Sequence, residues 1–247
     1  MRGGNLKMKK VLWQEMRRGE FKAIAERDGM VIIPVGSTEQ HGEHLPVNTD
    51  TNCCVTIAVR AAQSIDDFPV IVLPPVWSGY SPHHMSFPGT ITLEFHTFVD
   101  VLTQIAAGVS AHGFRKIIFL NGHGGNAAIV AAMRNKLMAE RGITVLGYTY
   151  WEMPSVSDEM KRVSESDKGF IGHAAEIETS MQLHLQPELV DMDAARWVPG
   201  VWGNPASGDP RKGEHIINAA VKALVKILNE YHSGQLQERL KWREEVL

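Results

Sequence analysis

Two kinds of apolar pattern alternate along the chain. Short runs that are almost wholly apolar predict buried strands at 30–35, 68–73, 116–120 and 143–148. Apolar residues at helical spacing predict helices at 13–28, 55–62, 93–112 and 127–140. Strands that alternate with helices, and that are apolar on both faces, are typical of a parallel sheet covered on each side. The pattern therefore predicts an α/β fold with three layers, α/β/α, around a mostly parallel central sheet.

The C-terminal part of the chain is predicted to be helical. One helix is expected from 174 to 185. Asp209 followed by Pro210 is typical of a helix start, and a long helix is expected over 213–231. The tail 235–247 is highly charged and predicts a further helix.

Length and charge narrow the possible functions. The chain has 247 residues and no segment that resembles a linker, so we expect one domain, 1–247, with its core at about 31–231. The net charge is −3, and acidic and basic residues are interspersed, without the basic face that is typical of nucleic-acid binding. We therefore expect no nucleic-acid partner.

Neither a signal peptide nor a membrane span is predicted. The basic first ten residues are followed by Val11 and Leu12, which lead into a segment rich in charged residues. The longest apolar stretches are far shorter than the roughly 20 residues of a membrane helix. The adjacent Cys53 and Cys54 are badly placed to bridge each other, as expected in a reducing compartment. These features predict a cytoplasmic protein with no membrane partner.

A polar cluster follows the first predicted strand and contains Glu39, His41 and Asp50. Glu39 and His41 are two residues apart, so both side chains leave the same face of an extended chain. A solvated surface loop is the alternative interpretation. With cysteine effectively excluded, a metal bound here would have nitrogen and oxygen ligands, which suit zinc, manganese or iron.

A glycine-rich loop, NGHGGN at 121–126, joins a predicted strand to a helix and has His123 at its centre. Such a loop is also compatible with an anion cradle at a helix N-terminus. The loop contains neither of the glycine-rich nucleotide-binding motifs, G-x-G-x-x-G and G-x-x-x-x-G-K-[ST], however. The imidazole at its centre favours a metal site. In α/β folds, ligands gather at the carboxyl ends of the strands, where the loops carrying Glu39 and His123 both emerge. We therefore expect these two segments to converge.

A third cluster, HAAEIETS, lies at 173–180. If the helix begins as early as His173, then His173 and Glu176 share one helical face. Glu178 would point elsewhere and suits an acidic residue at a helix N-terminus. We therefore expect Glu176 to be the additional metal ligand. The carboxylates could then balance much of the charge of two divalent ions, with one carboxylate bridging them.

These motifs resemble those of a known family. The segments EQHGEHLPVNTD (39–50), NGHGGN (121–126), HAAEIETS (173–180) and GNPASGDPRKGEH (203–215) are together similar to the creatininase family, also called creatinine amidohydrolases. The resemblance implies a three-layer α/β/α subunit, a two-metal site, hydrolysis of non-peptide C–N bonds, cytoplasmic location and commonly a homohexamer.

The resemblance also implies roles for individual residues. It implies that the metal ligands include Glu39, His41, Asp50 and His123. It further implies that Asp50 bridges the ions and that His173 lies near the substrate. Members that hydrolyse creatinine carry a glutamate at the position of Gly125 and an aromatic residue at Gly124. This departure argues against creatinine as the substrate.

The sequence thus predicts an amidohydrolase that acts on a small cyclic amide, ureido or formamide compound, through a water held between two divalent ions (Zn, Mn or Fe). His173 is the candidate proton shuttle, with Glu176 beside it in the catalytic site. The candidate substrate-binding residues are Ser78, Tyr80, His84, Gly124 and Trp151. The alternative is a non-catalytic nucleotide- or phosphate-binding protein that uses the loop 121–126.

Overall fold

A computed structural model describes residues 9–166, 168 and 170–236. Its centre is a sheet of four parallel strands in the order β2-β1-β3-β4. The strands are β1 (Met30–Val35), β2 (Val70–Val72), β3 (Lys116–Asn121) and β4 (Leu146–Thr149). Every residue of β1 and β3 is buried, which explains why these strands are apolar almost throughout.

Seven α-helices accompany the sheet in the described part of the chain. They are α1 (Arg18–Glu26), α2 (Thr49–Gln63), α3 (Phe95–Ala111), α4 (Ala127–Arg141), α5 (Val156–Val163), α6 (Glu176–Leu185) and α7 (Pro210–His232). None of the described helices is long and apolar enough to cross a membrane.

The helices form one layer on each face of the sheet. Ile32 of β1 packs into a core shared with α2, α5, α6 and α7. Its neighbours Val31 and Ile33 face the opposite way, into a core shared with α3 and α4, against which α1 also packs. The side chains alternate because successive residues of a strand point to opposite faces. The predicted three-layer α/β/α fold is therefore confirmed.

The carboxyl ends of β1 and β3 lie side by side. Val35 is in register with Asn121, and the N–H of Gly122 donates to the carbonyl oxygen of Val35 at 2.8 Å. The chain leaves both strands at the same edge of the sheet. The polar loops that follow β1 and β3 are therefore brought together, as the sequence predicted.

Several boundaries differ from the predicted ones. Strand β2 has only three residues, and helix α5 was not predicted. Asp209 does cap α7, since its carboxylate accepts a hydrogen bond from the N–H of Arg211 at 2.7 Å. Most of the predicted charged helix at 235–247 lies outside the described residues.

Gly213 allows the close approach of two helices in this fold. It lies in the first turn of α7, where an added Cβ would collide with the carbonyl oxygen of Ser180 and stand 2.9 Å from the Cα of Met181. Both contacts are with the backbone of α6, which carries most of the third predicted cluster, 173–180. Glycine is therefore required at this crossing.

We predict that Gly213→Ala lowers the free energy of unfolding by about 1–3 kcal/mol, because the added methyl group pushes α7 away from α6. Gly108→Ala is the matched control, since Gly108 lies within α3 and a Cβ added there would have no atom within 4 Å. That substitution should raise stability by about 0.5–1 kcal/mol through helix propensity. Urea unfolding measures both values, and equal effects would contradict the packing explanation.

Candidate metal centre

Four segments bring buried acidic and imidazole groups to one point at the carboxyl edge of the sheet. Glu39 and His41 lie in the loop after β1, and His123 follows β3. Asp50 is the second residue of α2, and Glu178 is the third residue of α6. All five side chains are buried. Their ligand atoms form two groups that could each hold a metal ion.

His41 is oriented by its own loop. Its Nδ1 lies 3.1 Å from the carbonyl oxygen of Glu39, which can only accept a hydrogen bond, so Nδ1 carries the proton. Its Nε2 faces Asp50 Oδ1 at 3.2 Å and Glu178 Oε2 at 3.7 Å. Metal-binding histidines are commonly fixed in this way by a carbonyl on the outer nitrogen.

His123 is oriented in a similar way, but here Nε2 is the outer nitrogen and Nδ1 is the one that faces the carboxylates. Its Nε2 lies 3.2 Å from the carbonyl oxygen of Tyr80 and 3.0 Å from Ser81 Oγ. Its Nδ1 faces Glu39 Oε1 at 3.2 Å and Asp50 Oδ2 at 3.1 Å. The inner nitrogen is therefore directed toward two carboxylates.

Asp50 is common to both groups of ligand atoms. Its Oδ1 faces His41, and its Oδ2 faces His123. One group consists of Glu39, Asp50 and His123, and the other of His41, Asp50 and Glu178. A carboxylate with one oxygen toward each group has the geometry required to bridge two cations.

Three of the converging atoms are buried without a hydrogen-bond partner: Glu39 Oε1, His41 Nε2 and Asp50 Oδ2. A buried polar atom that lacks a partner is costly, so native structures seldom leave one. All three point into the space between the carboxylates and imidazoles. Nitrogen and oxygen donors that converge in this way fit a divalent transition metal.

The carboxylates also favour positive charge on the imidazoles. Burial lowers the pKa of His123, but the neighbouring carboxylates of Asp50 and Glu39 outweigh it and raise this pKa to about 10. Burial also lowers the pKa of His41, but Asp50 and Glu178 outweigh it and raise this pKa well above its usual value. The cluster therefore attracts cations.

His173 lies beside this centre. Its ring centroid is 4.3 Å from that of His41. Its Nε2 donates to the carbonyl oxygen of Gln40 at 2.7 Å, and its Nδ1 faces Glu39 Oε1 at 3.5 Å. One ring nitrogen is thus fixed by the backbone while the other points toward the centre.

Glu176, which the sequence predicted to be a metal ligand and catalytic residue, is not brought to the centre. Its carboxylate accepts hydrogen bonds from the N–H groups of Glu165 and Ser166 at 2.8 and 2.9 Å and pairs with Lys212 Nζ at 2.7 Å. Glu178 occupies the place expected for Glu176. The physical reason is that α6 begins at Glu176, so His173 lies outside the helix and shares no helical face with it.

A cavity of about 170 Å³ opens onto the centre. Three of the predicted substrate-binding residues, His84, Gly124 and Trp151, line it together with His173. Trp202 also lines it and was not predicted, because almost 30 residues of sequence separate it from His173. Two backbone hydrogen bonds, of 3.1 and 2.9 Å, join Trp202 to His173.

Two other predicted substrate-binding residues point elsewhere. The Ser78 hydroxyl donates to the carbonyl oxygen of Ile91 at 3.4 Å. The Tyr80 ring packs edge-on against Phe95, and only its backbone carbonyl reaches His123. Neither lines the cavity. Sequence does not show the direction in which an irregular loop turns its side chains.

The two glycines after His123 have different surroundings. A Cβ at Gly125 would collide with the carbonyl oxygen of Tyr80 and stand 2.5 Å from His123 Nε2, whereas a Cβ at Gly124 would meet nothing within 4 Å. A glutamate could not replace Gly125 without moving His123 or the Tyr80 segment. In this structure, only glycine fits position 125 without a shift of its neighbours.

The described hydrogen bonds of the loop 121–126 do not favour an anion cradle. The N–H of His123 donates to Asn121 Oδ1 at 3.1 Å, and the N–H of Asn126 donates to the carbonyl oxygen of His123 at 3.2 Å. Those N–H groups are already used within the loop. The alternative function as a phosphate-binding protein therefore lacks support.

The chain is similar to several known proteins. The family model for creatininase, described as creatinine amidohydrolase, matches residues 14–228. A 3-dehydro-scyllo-inosose hydrolase of Thermotoga maritima is 33% identical over 75% of this chain and 59% of its own length. A mycofactocin precursor peptide peptidase of Mycolicibacterium smegmatis is 35% identical over 66% of this chain and 61% of its own length. The chain thus spans about three fifths of these two relatives.

A third relative, a creatinine amidohydrolase of Pseudomonas putida, is matched over nearly its whole length. It is 27% identical over 90% of this chain and 97% of its own length. A solved creatininase variant, described as the Zn-Zn type, superposes with a TM-score of 0.79 and is 26% identical, covering 90% of this chain and 98% of that chain. Another solved form is described as manganese creatininase.

We predict that Glu176→Gln lowers stability by about 2–4 kcal/mol at neutral pH, because it removes a buried charge that Lys212 and several N–H and O–H groups stabilise. Burial alone would raise the pKa of Glu176, but Lys212 and these hydrogen bonds lower it below its usual value. A depressed carboxyl pKa stabilises the fold above the unfolded-state pKa of about 4.3, and the contribution is lost as pH falls below it.

The difference in melting temperature between wild type and Glu176→Gln should therefore shrink as pH is lowered below about 4. Glu188→Gln is the control, since Glu188 is exposed, and it should change stability by less than about 0.5 kcal/mol. A difference that stays constant across this pH range would contradict the role given to the charge.

Proposed function

Since the chain belongs to the creatininase family, we propose that it is a metal-dependent hydrolase that cleaves the C–N bond of a small cyclic amide, ureido or formamide compound. The observation that carries this proposal is the placing of Asp50 between His41 and His123, with one carboxylate oxygen toward each. That geometry suits a reaction at a pair of cations, and the binding of an anion by the loop 121–126 would not require it.

Two divalent ions, of zinc, manganese or iron, are proposed. One would be held by Glu39, Asp50 and His123, and the other by His41, Asp50 and Glu178, which replaces Glu176 in the ligand set. Such a pair, when bound, lowers the pKa of water and polarises a carbonyl oxygen. The solved relatives described as the Zn-Zn type and as manganese creatininase support zinc and manganese.

His173 is the proposed proton carrier. Its Nε2–H is committed to the carbonyl oxygen of Gln40, which leaves Nδ1 as the nitrogen that can accept a proton and deliver it to a leaving nitrogen. His173 also lines the cavity, so a substrate there lies within its reach. Trp151 and Trp202 supply flat apolar surface in the same cavity.

The cavity indicates a small substrate. Its volume of about 170 Å³ is below the roughly 300–1,000 Å³ of pockets that take drug-sized ligands. Among the described residues, no lysine or arginine lines it, so the protein provides no dedicated partner for a phosphate. Glycine at position 125 argues against creatinine itself. The cytoplasmic location, predicted from the sequence, and the homohexamer, implied by the family resemblance, stay predictions.

The proposed function is tested by a panel of cyclic amides, ureides and N-formyl compounds, incubated with wild-type protein and with Asp50→Ala. We expect a metal-dependent hydrolysis of at least one class, detected by release of the amine or carboxylate, and none with Asp50→Ala. Hydrolysis that continues after complete removal of metal would refute the proposal.

We predict that wild-type protein retains close to two ions per chain after dialysis. Asp50→Ala should lose both, because it removes the ligand common to the two groups. Glu178→Gln should lose one, since its amide is a much poorer ligand than a carboxylate. Glu176→Gln is the isosteric control and should keep both. Elemental analysis gives the counts, and a Glu176→Gln protein that loses metal while Glu178→Gln does not would reverse our assignment.

We predict that His173→Ala keeps its metal but loses turnover by about 10²- to 10⁴-fold, the usual contribution of a proton-transfer group. His96→Ala is the control, because His96 is exposed on α3. Turnover is measured with the substrate class found in the panel. A metal-free His173→Ala protein would show that His173 is a ligand instead.

A further inference from the structure

We propose that the hydroxyl group of Ser81 is a positioning group that orients two ligands of the same ion, Glu39 and His123. This inference rests on the proposed metal-dependent function and adds a residue to its machinery. Ser81 lies in the loop between β2 and α3 and is fully buried. It was not a predicted site residue.

The hydroxyl of Ser81 bonds to both ligands. It donates to Glu39 Oε2 at 2.5 Å and lies 3.0 Å from His123 Nε2. A hydroxyl has one proton and two lone pairs, so a proton given to the carboxylate leaves Oγ as an acceptor toward the imidazole. The same oxygen therefore ties down the outer oxygen of Glu39 and the outer nitrogen of His123.

Fixing the outer atoms determines where the inner atoms point. With Oε2 bonded to Ser81, Oε1 of Glu39 is the oxygen that lies 3.2 Å from His123 Nδ1, and it has no hydrogen-bond partner of its own. With Nε2 of His123 supplied with acceptors at Ser81 and at the Tyr80 carbonyl, Nδ1 is the nitrogen that faces the carboxylates. Both inner atoms belong to the ligand group of Glu39, Asp50 and His123.

Ser81 is itself held rigidly. Its N–H donates to Thr92 Oγ1 at 2.8 Å, and its hydroxyl lies 2.7 Å from the hydroxyl of Ser37. Since Ser81 gives its proton to Glu39, Ser37 is the donor in that pair, and the Ser37 hydroxyl also lies 3.4 Å from Glu39 Oε2. Ser37 lies only two residues before Glu39, so these hydrogen bonds link Ser81 to two positions of the loop that carries Glu39. Outer groups of this kind commonly contribute about 10- to 100-fold to metal affinity.

The second ligand group has no described contact with the Ser81 hydroxyl. The outer nitrogen of His41 is fixed by the carbonyl oxygen of Glu39, and Glu178 Oε2 accepts from the N–H of Ala174 at 2.5 Å. Loss of the Ser81 hydroxyl should therefore affect one ion of the pair and spare the other. A general loss of stability would not produce such a difference.

The test is a zinc titration of metal-free protein in competition with a chromophoric chelator. Wild type should bind two ions, and Ser81→Ala should bind one of them about 10- to 100-fold more weakly with the other unchanged. Ser78→Ala is the matched control: Ser78 is a buried serine of the same loop whose hydroxyl bonds only to the carbonyl oxygen of Ile91 among the contacts described. It should bind both ions as wild type does.

Two further variants make the result specific. In a Glu178→Gln background, which keeps only the ion of Glu39, Asp50 and His123, adding Ser81→Ala should weaken that remaining ion by the same factor. Ser81→Gly also removes the hydroxyl, should weaken the same ion, and serves if Ser81→Ala does not fold. Cobalt loaded in place of zinc should show an altered absorption spectrum in the variant.

The outcomes separate the two proposals. A wild-type protein that binds no zinc would overturn the proposed metal-dependent function and this inference with it. A wild type that binds two ions, with Ser81→Ala indistinguishable from it, would overturn the role of Ser81 alone. Equal weakening of both ions, or the same loss in Ser78→Ala, would also overturn it, because either result would indicate a structural effect.

Discussion

The burial of three carboxylates at one point is the constraint on which the centre depends. Glu39, Asp50 and Glu178 are 0%, 3% and 5% exposed. Ionised carboxylates that leave water lose several kcal/mol each unless they are paired, and neighbouring ones repel each other. The imidazoles of His41 and His123 oppose this charge, and the raised pKa of each records how strongly positive charge is favoured there. Protons can supply that charge, and bound cations can supply more of it.

The fold offsets part of this cost before any ion is considered. Asp50 and Glu178 lie in the first turns of α2 and α6, where the unpaired N–H groups of a helix stabilise negative charge. An acidic residue at a helix start is often explained by this effect alone. Here the effect and the proposed metal role are complementary, because a site that needs buried carboxylates gains by taking them from helix N-termini. Glu39, which comes from a loop, receives the hydroxyl of Ser81 instead.

The sequence predicted the features of the centre that depend on local order. Alternating apolar runs indicated the parallel sheet, and the ends of β1 and β3 indicated where Glu39 and His123 would emerge, since parallel strands that are neighbours end at one edge. The presence of Ser81 and Trp202 at the site could not be predicted from local sequence, because they contact residues 42 and 29 positions away. Other loop residues were assigned from the composition of an irregular segment, and composition does not determine which side chains turn inward.

The choice between Glu176 and Glu178 shows where periodicity stops being informative. Residues two apart in a helix are separated by roughly 200°, so the two glutamates point to nearly opposite sides. Which one faces the imidazoles depends on where the helix begins, and the positive φ of 51° at Ala174 keeps the helical pattern from reaching back to His173. Lys212 holds Glu176 on one side of α6, and the N–H of Ala174 donates to Glu178 on the other. The direction of Glu176 thus depends on a lysine of α7 that lies 36 residues further along the chain, and the sequence around α6 does not show that contact.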